Sequence, residues 1–125
     1  AEAHVAAQLS GEGAGMSERQ LFVLQRLSAL LLGPLVIVHL LLILYAVRDG
    51  LTAAEILGRT QGSALWAAFY GTFVLAAAIH APIGLRNILR EWTGLSRRAV
   101  DWGMAAFALL LAILGLRAVY AVVGG

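Results

Sequence analysis

The chain has no cysteine, no lysine and only two prolines in its 125 residues. Without thiols it can form no disulfide, no zinc–thiolate site and no cysteine-bound iron–sulfur cluster of its own. Every basic side chain is an arginine, and the net charge of +2 is scattered, which argues against nucleic-acid binding. Charge is scarce altogether. Some 13% of the residues are charged, about half the share of a soluble domain, whereas 61% are hydrophobic, so water is the wrong solvent for most of the chain. The sequence also lacks a nucleophile–base pair, paired carboxylates and a phosphate-cradling glycine loop, which argues against a chain that is an enzyme by itself.

What is abundant is uninterrupted apolar sequence. Leu27 to Val47 carries no charge and is long enough to cross a bilayer core about 30 Å thick. Ser63 to Leu85 is a second charge-free stretch, and Trp102 to Val123 a third, interrupted only by Arg117. Pro34 and Pro82 fall inside the first two, where a membrane helix tolerates them as kinks. The pattern predicts an all-α membrane protein: three transmembrane helices, over about 20–47, 63–89 and 99–123, in an up-down-up bundle. Residues 1–18, rich in Ala, Gly, Glu and Ser, read as a polar tail without the apolar core of a signal peptide; 19–125 form the membrane anchor. Between the first two spans, Thr52 followed by Glu55 is a capping box that predicts a short surface helix. The basic stretch from Arg86 to Asp101, flanked by Trp92 and Trp102 as interface anchors, reads as the second connector.

The arginines orient the bundle. Arg19, Arg26, Arg86, Arg90, Arg97 and Arg98 fall on the side of the N-terminus, and Arg48, Arg59 and Arg117 on the other. The positive-inside bias puts the N-terminus in the cytoplasm; a bacterial inner membrane is the expected location.

Two histidines, His39 and His80, sit deep in successive apolar runs, and His4 lies in the tail. An intramembrane imidazole is costly unless something binds it. A single one is as readily explained by a hydrogen bond to a neighbouring helix. Two on successive helices point to ligation of haem iron. Counting 1.5 Å per residue, His39 lies roughly 12 Å and His80 roughly 26 Å below the outer surface, a difference of about 14 Å. Axial ligands of one iron stand at similar heights, so the two histidines are expected to bind different haems, each completed by a histidine of another chain, identical or related. Ala76 and Gly84, one turn either side of His80, leave room for a flat ligand or for close helix packing. Arg86 and Arg117, near opposite boundaries, suit haem propionates, with snorkelling to headgroups as the plainer alternative. Arg26 and Ser28, with Gln25 beside them, offer the donors a quinone headgroup takes at its carbonyls; a lipid-facing arginine and a hydroxyl bonded to its own helix are the alternative.

With these residues in view, the run from Leu24 to His39 resembles the first helix of the cytochrome b membrane anchors of succinate dehydrogenase and fumarate reductase. The run from His80 through Gly84, Arg86 and Asn87 to Leu89 resembles their second helix, His-x-x-x-Gly-x-Arg-(His)-Leu. The likeness spans about Ser17 to Val123, with short motifs and a weaker third helix. It implies that His39 is an outer and His80 an inner haem b ligand, that Arg26 lines a quinone pocket, and that a second anchor chain completes the bundle. It also implies two soluble partners, an iron–sulfur subunit docked near Arg86 to Arg98 and a flavoprotein with FAD. The respiratory chain is the implied setting, and this chain is then a subunit of an oxidoreductase complex that does not catalyse alone. Gln25 and Ala29 stand where many relatives have His and Gly, and Asn87 where many have His. The haem subunit of another membrane-bound dehydrogenase, and a haem-free structural or assembly subunit, remain as alternatives at this point.

Overall fold

The computed structural model describes residues 16–124. These form four helices, α1 (Glu18–Asp49), α2 (Ala53–Thr60), α3 (Ala64–Trp92) and α4 (Arg97–Val123), with no strand among the described residues. The polar tail predicted over 1–18 lies outside the described residues up to position 15, and His4 with it. Three of the helices are long and apolar enough to cross a membrane, and the chain is an all-helical integral membrane protein. α2 is the short surface helix that the capping box predicts. Thr52 Oγ1 accepts from Glu55 N–H, and the Glu55 carboxylate accepts from Thr52 N–H, both at 3.2 Å.

Each long helix begins on a serine cap. Ser17 and Gln20 make a reciprocal capping box on α1, Ser63 caps α3 through Trp66 N–H, and Ser96 caps α4 through Ala99 N–H. α1 runs through Pro34 and α3 through Pro82 as single helices. α1 stops at Gly50, whose φ of +139° is open to glycine alone at low cost; the Glu55 carboxylate fills the space a side chain there would need. The second connector is shorter than the sequence predicts. α3 continues to Trp92 and closes on Thr93, and α4 starts at Arg97 on the Ser96 cap, leaving only residues 93–96 between them.

The up-down-up order is fixed at both ends. At one end Arg86 of α3 bonds Glu18 of α1 and Asp101 of α4. At the other, Arg59 of α2 bonds Asp49 of α1 at 2.6 Å, and Thr60 Oγ1 and Gly62 N–H donate to the carbonyls of Val122 and Val123. α3 is the central element, packed against α1 on one side and α4 on the other. Gly115 is where α4 closes on α3, since a side chain there would run into Val74.

Little apolar surface is buried within the chain. The buried residues are Leu21, Ala76, Ala78, Pro82, Ile83 and Val100, together with Ser28, Thr60 and Arg86. The most apolar stretch of α4 buries none. Leu30, Leu44, Leu65 and Leu109 are more than 60% exposed, a surface that belongs in hydrocarbon or against other membrane helices.

Candidate functional site

His80 projects from α3 toward α1. Its Nδ1 lies 3.4 Å from Ser28 Oγ and 3.4 Å from the main-chain carbonyl of Gln25. Ser28 is buried, and its hydroxyl donates to that same carbonyl at 2.9 Å. Two turns further along α3, Asn87 Nδ2 donates to Gln25 Oε1 at 3.1 Å. Gln25 and Asn87, two of the three positions that depart from the family's pattern, therefore touch one another as a neutral amide pair. Gly84 turns its bare side to Gln25, so this small residue serves the close approach of α1 and α3. Ala76, on the same face, is buried and lines an open apolar groove of about 270 Å³ between α1 and α3, which Leu24, Leu27, Ser28 and Ile79 also line.

His39 is set among rings. Its centroid is 5.1 Å from that of Phe73 in a tilted arrangement and 6.3 Å from that of Tyr70 edge-on, and Tyr70 stacks on Trp66 at 5.7 Å. The sequence assigns Trp66 and Tyr70 to an interfacial belt; the structure adds that Tyr70 also walls one histidine. The His39 Nδ1 atom is buried and has no hydrogen-bond partner. Such an orphaned polar atom costs about 1–3 kcal/mol.

The rings occupy different levels. His80 is level with Gln25 and Ser28 on α1, and His39 is eleven residues beyond Ser28, about 16 Å at 1.5 Å per residue. Measured along α3, Phe73 and His80 are seven residues apart, about 10 Å. Both figures bracket the offset predicted from depth. Among the described residues no three His, Asp or Glu side chains converge as an ion-binding cluster. Haem iron asks only one imidazole from each contributing helix; His80, with its Nδ1 engaged, has the partner a ligating imidazole takes at its other nitrogen, whereas His39 supplies an imidazole in an aromatic setting without one.

The arginines are dispersed. Arg86 is buried to 1% exposure. Its Nε bonds Asp101 at 2.7 Å and its Nη2 bonds Glu18 at 2.6 Å; Glu18 also accepts from Arg90 at 2.7 Å. Arg97 stands 3.6 Å from Glu18 and 3.8 Å from Asp101. Arg117 is exposed on α4. Arg26 is exposed on α1 with its guanidinium 5.3 Å from the Phe22 ring centre. Arg26 and Ser28 are thus not brought together: one faces outward and the other faces α3.

Sequence reasoning passed over Glu18, Asp101, the Gln25 carbonyl, Tyr70 and Phe73 as neighbours of these groups. Topology held a signal for the first two. Once the helices alternate in direction, the start of α1, the end of α3 and the start of α4 share one side, and Glu18 and Asp101 are the acids there that can meet Arg86.

A family model described as succinate dehydrogenase/fumarate reductase transmembrane subunit matches residues 13–119. No curated protein and no solved structure matches the chain.

Proposed function

The chain belongs to the family of succinate dehydrogenase/fumarate reductase transmembrane subunits, and from that premise we propose that it is a haem b-binding membrane anchor passing electrons between a soluble iron–sulfur subunit and membrane quinone. The observation that carries this reading is the pair of imidazoles at separate levels, one with an orphaned Nδ1 and the other with Nδ1 engaged by its neighbours. His80 and His39 are the axial ligands of two haems, and each second ligand comes from another anchor chain packed on the apolar faces this chain leaves open. Bound haem b supplies a reversible one-electron couple across the membrane.

The chain's own residues then have distinct tasks. Tyr70 and Phe73 exclude water around His39. Arg117 is the propionate partner at the His39 level. A propionate at the His80 level meets the net-positive cluster that Arg86 organises with Arg90, Arg97 and the two acids. Arg26, turned outward, is the donor we assign to a quinone carbonyl. The basic end of the bundle, at Arg90, Arg97 and Arg98, faces the cytoplasm of a bacterial cell and receives the iron–sulfur subunit, beyond which a flavoprotein holds FAD.

A reduced-minus-oxidised spectrum of the purified complex tests the reading. The wild type should show b-type bands. His39→Ala and His80→Ala should each remove about half of them, because each ligates its own haem. A wild-type complex without a b-type band would end the proposal in favour of a haem-free structural subunit. Loss of all haem in each single variant would place both histidines on one iron.

A further inference from the structure

We propose that Ser28 and the main-chain carbonyl of Gln25 are positioning groups for His80, holding its ring as the Nδ1–H tautomer so that Nε2 is the ligating nitrogen. A carbonyl oxygen can only accept. The Ser28 hydroxyl has already given its proton to that carbonyl at 2.9 Å, so its oxygen is left as an acceptor as well. Two acceptors and no donor therefore face Nδ1 at 3.4 Å, and the ring proton belongs there. The carbonyl is shared with Ser28, which leaves the serine oxygen as the acceptor with capacity to spare. Burial of Ser28 at 4% exposure keeps water from replacing it. The hydrogen bond from the Asn87 amide to the Gln25 amide oxygen and the bare side of Gly84 fix the register of α1 on α3 at this level. His39 has no acceptor at Nδ1 and serves as the internal control.

The inference rests on ligation by His80. An imidazole that donates from Nδ1 is a stronger base at Nε2, which favours oxidised iron and tighter retention. It also gives Ser28 a task other than the quinone contact its place in the sequence suggests, because its proton is spent within α1 on the Gln25 carbonyl.

The test compares wild type, Ser28→Ala and Ser28→Thr in the purified complex by redox titration of the b-type bands and by haem retention. Ser28→Ala should raise the midpoint potential of the haem that His80→Ala removes, leave the other in place, and weaken retention about tenfold. Ser28→Thr, which restores the hydroxyl, should return both. Should Ser28→Ala fail to assemble, Ser28→Cys keeps the volume with a weaker acceptor and should shift the same potential by less. Unchanged potentials and retention would overturn the inference while leaving ligation standing. So would a Ser28→Ala complex whose only change is a raised KM for quinone. A wild-type complex with no b-type band would overturn the ligation reading and this inference with it.

Discussion

The two ends of the bundle are built differently, although each holds one histidine. Around His80, α1 and α3 are tied by side-chain and main-chain bonds, and the charged cluster of Arg86 adds α4 to the same layer. Leu21, Pro82, Ile83, Val100 and Arg86 are all buried on that side. Around His39, aromatic rings do the packing, the imidazole nitrogen is orphaned, and the tie between α1 and α2 is a surface ion pair. At one end the histidine nitrogen is held by the chain's own groups; at the other it has no partner among the described residues. Most of the apolar surface that a soluble three-helix protein would bury is exposed here, at both ends, as suits a chain surrounded by hydrocarbon or other membrane helices.

The sharpest way to break this contrast is at Arg86. Arg86→Met removes the buried side chain that joins α3 to Glu18 of α1 and Asp101 of α4, and leaves those acids only their more exposed arginine partners. Breaking a buried pair costs about 3–5 kcal/mol, and because both acids are roughly half exposed the loss here should be about 2 kcal/mol. Thermal unfolding in detergent measures it, and a double-mutant cycle with Asp101→Asn should show strong coupling. A smaller effect of opposite sign is expected at the other end. In protein produced without haem, His39→Phe removes an unsatisfied nitrogen and extends an aromatic cluster, so it should raise stability by about 1 kcal/mol. His80→Phe should not, since that nitrogen is already satisfied. The same melting experiment separates the two. The smallest effect belongs to the Arg59–Asp49 pair: Asp49→Asn should cost no more than about 0.5 kcal/mol, and raised salt should shrink the difference, while the bond from Arg59 to the Gly50 carbonyl stays.

The three spans, the capping box at Thr52 and the separate levels of the histidines are legible in the sequence because each depends on local pattern or on counting residues along a helix. Burial of Arg86 is not. Its partners are 68 and 15 residues away, and an arginine near a membrane boundary looks the same on paper whether it snorkels or is enclosed. The contact between Gln25 and Asn87 is hidden for the same reason. Each looks like an isolated departure from a family pattern until the packing of α1 on α3 joins them. Ser28 and Arg26 show the reverse case. Closeness in sequence suggested a shared task, and a turn of about 200° between residues two apart on a helix sends them to different surfaces.

The enclosure of Arg86 bears on how the protein is made. Its two acids lie on either side of it in chain order, Glu18 synthesised first and Asp101 last. When the second long helix leaves the ribosome, one counter-charge is already waiting and the other has yet to be translated. Insertion of that helix therefore passes through a stage in which the guanidinium is only half neutralised, and the arrival of the third helix is what lets it settle.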